Sequence, residues 1–448
     1  MSGTFLDHDV PPTLISFAIA PVLAGEIVTT DFKSAGHGVY LFAGATPEEQ
    51  KAAWERFTAL ARAGKVASAW AVENGLAEAV MKMSLGNEVG FDAASTALDW
   101  YQPMPGAIVA ELTEEIPDAV CIGVTTAEKT ITIGNDEASI SELLALNDSV
   151  LESVYPTKTQ DAGTVESFTY ETEKRVAPAV KIARPKALIP VFPGTNCEVD
   201  TARAFEAAGA QCDIFVLRSR TAEQINESME ELARRLKNAN ILMLPGGFSG
   251  GDEPDGSGKF IATVLRNARV REQVSELLEK RDGLAMGICN GFQALIKTGL
   301  LPYGRIDTVR PEDPTLTFNT IGRHISAIAR VRVCSVDSPW MSACKSGEVY
   351  SVALSHGEGR FACSPEMLAR LIDNGQVITQ YCDLEGHASG SGRCNLNGSV
   401  AAIEGIISPD GRVLGKMGHT ERRDADVCVN VPGSYDMPLF ESGVKYFL

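Results

Sequence analysis

Residues 283–297 read as an apolar run that meets a sharp turn and leaves it as an amphipathic stretch. The order is Gly283-Leu284-Ala285-Met286, then Gly287-Ile288-Cys289-Asn290-Gly291, then Phe292-Gln293-Ala294-Leu295-Ile296-Lys297. A strand that turns straight into a helix, with small residues flanking the turning position, has the form of a nucleophile elbow with sulfur in place of oxygen. Most free cysteines are small buried hydrophobes. Here Asn290 and the first peptide N–H groups of a helix stand where they favour a thiolate and donate to an oxyanion, so Cys289 is the candidate nucleophile.

The same grammar recurs upstream. Residues 187–191 read as strand, 199–208 as helix closed by Gly209, 212–217 as strand and 221–237 as helix. The run 240–244 is a further strand, ending in Pro245-Gly246-Gly247-Phe248-Ser249-Gly250-Gly251-Asp252. Alternating strands and helices predict an α/β domain with a mostly parallel sheet covered on both faces and ligands at the carboxyl ends of its strands. Beyond residue 321, β-branched runs at 329–333 and 349–354 are expected to extend that sheet. Residues 1–156 read as a separate α+β unit, with strands at 13–19 and 38–42 and helices at 48–63 and 67–83. Residues 157–184 carry no sustained apolar period and read as a linker.

At 448 residues the chain is long enough for two or three domains. A net charge of −18 argues against nucleic acid and anionic membrane as partners. The longest apolar stretch near the start, 14–28, is broken by Pro21 and Glu26, so neither a signal peptide nor a span is expected. Ten scattered cysteines without a Cys-x-x-Cys pair point to reduced thiols in a cytoplasm rather than disulfides or structural zinc. Lys259, in Gly256-Ser257-Gly258-Lys259-Phe260, imitates the end of a P-loop but lacks the earlier glycine and the following Ser or Thr. With six histidines in all, the search for a base is short. A thiol nucleophile needs an imidazole and the imidazole a carboxylate, and two His-x-Glu pairs compete, His356 with Glu358 and His419 with Glu421.

Four motifs in order, Pro245-Gly246-Gly247-Phe248-Ser249, Cys289-Asn290-Gly291-Phe292-Gln293, Ser355-His356-Gly357-Glu358-Gly359-Arg360-Phe361 and Gly418-His419-Thr420-Glu421-Arg422, resemble class I glutamine amidotransferases. More narrowly they resemble the glutaminase domain of the phosphoribosylformylglycinamidine synthase family, over about residues 184–448. Pro193-Gly194-Thr195-Asn196-Cys197-Glu198 is similar to the loop after that domain's first strand. Cys197, with acid and no base among its sequence neighbours, is read as structural. Asn74-Gly75-Leu76-Ala77-Glu78-Ala79-Val80-Met81-Lys82-Met83 resembles, less specifically, the carboxyl-terminal domain of the aminoimidazole ribonucleotide synthetase-like fold.

The resemblance implies a flavodoxin-like class I glutaminase domain at 185–448, preceded by a smaller α+β synthetase-like domain at 1–156. It implies Cys289, His419 and Glu421 as the catalytic set, and Gly246, Gly247, Phe248, Asn290 and Gln293 as glutamine-binding residues. His356 would then sit in a loop that packs against the synthetase. No metal or cofactor is implied for the glutaminase domain; ATP and Mg belong to the complete synthase, so the remaining synthetase domains or a synthetase subunit are the implied partner. The chain is expected to be the carboxyl-terminal piece of a larger synthase or a subunit working with one. Two alternatives stay open, a stand-alone cysteine hydrolase of the same fold and a non-catalytic assembly subunit.

Overall fold

The computed structural model describes residues 3–448 apart from 6–7, 11, 13, 96, 158, 171–176, 179, 251–256, 424–426 and 429–430. The chain divides into two compact units, Met1–Val154 and Tyr155–Leu448.

In the first unit, seven strands lie side by side in the order Val66–Ala71, Ile108–Leu112, Gly38–Phe42, Val120–Thr126, Gly90–Ala93, Thr130–Ile133 and Asp136–Ser139. Alternation along these strands sends Val39 and Val109 into one core and Tyr40 and Ala110 into another. The helix Pro47–Arg62 starts on a capping box between Thr46 and Glu49. Two expectations fail here. Residues 67–83 are not one helix but the strand Val66–Ala71 followed by the helix Leu76–Leu85, parted at Gly75, whose φ of +129° no helix accepts. Residues 14–19 form no strand: no neighbouring chain hydrogen-bonds to them among the described residues, and Leu14, Phe17 and Ile19 lie exposed. Thr13 lies outside the described residues.

The second unit is built on a nine-stranded sheet. Its parallel half runs Gln211–Val216, Lys186–Val191, Ile241–Leu244, Leu284–Ile288 and Val413–Lys416. Its antiparallel half continues with Ile403–Ile407, Val377–Tyr381, Ile325–Val333 and Val349–His356. Buried on both faces, the central strands are continuous apolar runs, such as Ile241-Leu242-Met243-Leu244. The helices Glu198–Ala207, Ala222–Leu236 and Asn290–Thr298 cover it. The alternation predicts the parallel half, the whole is the α/β, flavodoxin-like arrangement that the resemblance implies, and the late β-branched runs extend the sheet with antiparallel strands.

Described residues of the segment read as a linker pack along this unit. Phe168 donates its N–H to Gln380 Oε1 at 2.9 Å, Tyr170 donates its N–H to the Cys334 carbonyl at 2.7 Å, and Ile182 donates its N–H to the Phe447 carbonyl at 2.7 Å. A chain that satisfies its backbone on a neighbour needs no apolar period of its own.

Candidate active site

Cys289 ends the strand Leu284–Ile288 and opens the helix Asn290–Thr298 with φ +52° and ψ −107°. For a residue with a Cβ this is strained backbone, and it persists only where the surroundings enforce it. The Cys289 N–H is held by the Lys416 carbonyl at 2.9 Å, and the Cys289 carbonyl accepts the Gln293 N–H at 3.1 Å. The flanking glycines are obligatory in space. A Cβ on Gly287 would come within 2.6 Å of the Gly291 backbone, and one on Gly291 within 2.0 Å of the Leu244 carbonyl oxygen.

His419 reaches the nucleophile because the strands are in register. Ile288 pairs with Lys416, so the chain leaving Lys416 passes the elbow. His419 Nδ1 bonds Glu421 Oε1 at 2.6 Å, with both side chains buried. That partner assigns the proton to Nδ1 and leaves Nε2, which makes no hydrogen bond among the described residues, for the thiol. Burial pushes the His419 pKa down, but the Glu421 carboxylate and the Cys197 and Cys289 sulfurs outweigh it and hold it well above its ordinary value. Burial likewise pushes Glu421 up, and the His419 charge and hydrogen bond bring it below the usual carboxylate range. Gly246 makes room for the ring: a Cβ there would lie 2.6 Å from His419 Cε1.

The rival pair is not assembled as one. His356 Nδ1 meets Asn319 Oδ1 at 3.2 Å, while the Glu358 carboxylate turns away to accept the Ser257 N–H at 2.9 Å. Burial, with the His419 and His324 charges, pushes His356 down to about 3. The Ser257 contact also disposes of the P-loop imitation, since a carboxylate occupies an amide that a phosphate would need; Gly251, Asp252 and Gly256 of these loops lie outside the described residues.

The expected binding residues divide by role. Thr195 and Gly247 form a bridge whose two bonds, Phe248 N–H to the Gly194 carbonyl at 2.8 Å and Asn196 N–H to the Gly246 carbonyl at 3.3 Å, belong to the flanking residues. The Gly247 N–H therefore points away from that partner, whereas the Phe248 amide is taken. Asn290 accepts the Ser249 N–H at 3.3 Å and donates to Gln293 Oε1 at 3.0 Å. Gln293 Nε2 donates to the Glu358 carbonyl at 2.5 Å. Both carboxamides thus tie the elbow helix to the two glycine loops.

Sequence reasoning missed three features. Cys197, read as structural, touches the site: its sulfur lies 3.7 Å from His419 Nδ1, accepts from Arg422 Nη2 at 3.3 Å and donates to Asn196 Oδ1 at 3.0 Å. The base its sequence neighbours lack comes from the far end of the domain. The second is Arg422 itself. The third is the buried pair of Lys416 Nζ and Glu404 Oε1 at 3.1 Å, which holds both polar atoms of Gly418, with Lys416 Nζ on its carbonyl at 2.8 Å and Glu404 Oε1 on its N–H at 2.6 Å. Single opposite charges inside the apolar runs Ile403–Ile407 and Val413–Lys416 were the available signal.

Among the described residues, one group of three potential metal ligands converges, Cys197, His419 and Glu421. Sulfur and imidazole make a poor magnesium site, which calls for oxygen ligands, so the Mg and ATP of a complete synthase do not fit here.

Comparison with known proteins shows the family. The model of the CobB/CobQ-like glutamine amidotransferase domain matches residues 184–447. A phosphoribosylformylglycinamidine synthase subunit PurQ of Symbiobacterium thermophilum is 37% identical over 256 residues, covering 57% of this chain and 94% of that protein. One from Methanococcus maripaludis is 34% identical over 248 residues, covering 53% of this chain and 82% of the relative. Among solved structures, PurLQS from Thermotoga maritima matches at 26% identity with a TM-score of 0.43, over 59% of this chain and all of that one. The elbow cysteine, the histidine–glutamate pair and the glycine loop lie within the matched stretch, and the chain belongs to the CobB/CobQ-like glutamine amidotransferase family.

Proposed function

We propose that the chain is the glutaminase portion of a phosphoribosylformylglycinamidine synthase. It would hydrolyse glutamine and supply ammonia for the ATP-dependent conversion of formylglycinamide ribonucleotide to formylglycinamidine ribonucleotide. The observation that carries this is the convergence of a strained elbow cysteine with a His419–Glu421 pair at 2.6 Å, in a chain related at 37% identity to a PurQ subunit.

In this reading the Cys289 sulfur attacks the side-chain carboxamide of glutamine, and the oxyanion is held by the Gly247 and Asn290 N–H groups. His419 protonates the departing ammonia through Nε2, leaving a thioester on Cys289. The imidazole then takes a proton from water, hydroxide attacks the thioester, and glutamate and the thiol are regenerated. Glu421 keeps the ring in the required tautomer and stabilises its charge. Gly246 and Phe248 wall the glutamine site, while Asn290 and Gln293 act on it by fixing the Glu358 carbonyl and the Ser249 amide. ATP with magnesium activates the acceptor in the complete synthase, on residues other than these.

Residues 1–156 serve as a synthetase-like domain and the remaining synthetase portion is the partner. No helix among the described residues is long and apolar enough to cross a membrane, and we place the protein in the cytoplasm. The test is release of glutamate from glutamine by the purified chain, with and without the complementary synthetase piece. Hydrolysis that rises when that piece is added supports the proposal. Hydrolysis of other amides in preference to glutamine would favour a stand-alone hydrolase, and no hydrolysis in either condition a non-catalytic subunit.

A further inference from the structure

We propose that Cys197, His419 and Glu421 form an inhibitory site for a borderline-soft divalent cation, zinc foremost, on the Nδ1 side of the catalytic imidazole. The inhibition rests on the glutaminase reading; the binding does not.

The donor atoms lie within 4.8 Å of one another, all three residues buried. The separation of 3.7 Å between Cys197 Sγ and His419 Nδ1 is already that of two zinc ligands. Tetrahedral bonds of ~2.3 Å to sulfur and ~2.0 Å to nitrogen put those atoms about 3.5 Å apart. The Glu421 carboxylate stands closer to Nδ1, at 2.6 Å, because it accepts a hydrogen bond there. As a metal ligand it would step back to about 3.3 Å. Its second oxygen, Oε2, is buried and has no hydrogen-bond partner among the described residues, so that oxygen is available to a cation.

A cavity of about 480 Å³ is lined by Asp200, Arg203, Glu421 and Arg422 among others. Because Glu421 and Arg422 line it, it is the approach we assign to the cation, which reaches the buried donors once these side chains move. The opposing group is Arg422, whose guanidinium donates to the Cys197 sulfur at 3.3 Å. Because Arg422 lines the same cavity, the cation displaces it into that space at the cost of one charge-assisted bond. The site is therefore weaker than a structural zinc centre, as suits a reversible inhibitor.

Loading releases the Cys197 thiol proton to solvent and moves the His419 Nδ1 proton, by way of solvent, to Nε2, with no change of oxidation state. The imidazole is then neutral with its one proton on Nε2, the atom that faces the nucleophile. It can no longer accept a proton there, and the base function is lost although Cys289 and the glutamine site are untouched.

The test compares the full chain with Cys197→Ser, Cys197→Ala and Cys289→Ala. Cobalt(II) titration reads sulfur-to-metal charge-transfer absorption, and competition with a chromophoric chelator reads zinc affinity. One equivalent of cobalt with a thiolate band is expected in the wild type and in Cys289→Ala, with the band lost in both Cys197 variants and zinc binding weaker by about tenfold or more. Zinc should inhibit wild-type glutamine hydrolysis without competing with glutamine, and EDTA should reverse it. A band that survives loss of Cys197, a band that vanishes in Cys289→Ala, or no binding by the wild type would overturn the site. Zinc bound through Cys197 with an unchanged glutaminase rate would overturn the inhibition. A chain inactive on glutamine even in EDTA would instead count against the functional reading, with the cobalt titration still deciding the site.

Discussion

Lys416 and Glu404 pair at 3.1 Å with their side chains at most 1% exposed, and between them they grip Gly418, the residue before the base. The Lys416 carbonyl also holds the Cys289 N–H at 2.9 Å, so this residue meets the nucleophile through its backbone and the residue before the imidazole through its side chain. Thr379 Oγ1 donates to the other Glu404 oxygen at 2.5 Å and completes the arrangement.

Breaking that pair from one side leaves an uncompensated buried charge. Lys416→Met or Glu404→Gln alone should destabilise the second unit by about 3–5 kcal/mol. The double variant Lys416→Met with Glu404→Leu should recover most of the stability but not the activity, because the Gly418 N–H still lacks its acceptor. Urea midpoints together with kcat for glutamine hydrolysis check this; a double variant that is both stable and fully active would remove the pair from the positioning account.

Gly246→Ala should preserve the fold and damage the base. Its Cβ would stand 2.6 Å from His419 Cε1, forcing the ring away from Cys289. Displacement of a catalytic group by this much costs about 100-fold in rate. The expected result is a fall in kcat with an unchanged circular dichroism spectrum.

His356 carries a pH signature. Its folded pKa lies near 3, below the ordinary 6.5, so between these values the unfolded chain binds a proton that the folded chain refuses. Stability therefore falls as pH drops from about 6.5 towards 3. His356→Asn, which keeps a polar group towards Asn319, should flatten that part of the profile. Unfolding free energy measured from pH 7 to pH 4 tests it, and equal slopes for variant and wild type would contradict the shift.

The elbow was legible because its constraints are local: a strand, a helix and two glycines within one short run fix Cys289 whatever surrounds them. The parallel sheet was legible for the same reason, each strand and helix declaring its own period. Where partners decide, the sequence said less. The run Val66-Ala67-Ser68-Ala69-Trp70-Ala71 is rich in helix formers, yet its pairing with Ile108–Leu112 makes it a strand. Residues 14–19 show the converse, a strand-like pattern with no neighbouring strand among the described residues to pair with. Cys197 meets a histidine 222 positions away, and nothing in its sequence neighbourhood announces that contact. The choice between His356 and His419 rested on resemblance alone, because both motifs have the same spacing; the structure distinguishes them by where each carboxylate points.

Covalent trapping addresses the central claim most directly. A diazo-ketone analogue of glutamine, incubated with the full chain and followed by peptide mass spectrometry, should label Cys289 stoichiometrically, with labelling abolished in Cys289→Ser, strongly slowed in His419→Ala and largely retained in His356→Ala. Labelling at Cys197 instead of Cys289, or a rate indifferent to His419 but dependent on His356, would contradict the account.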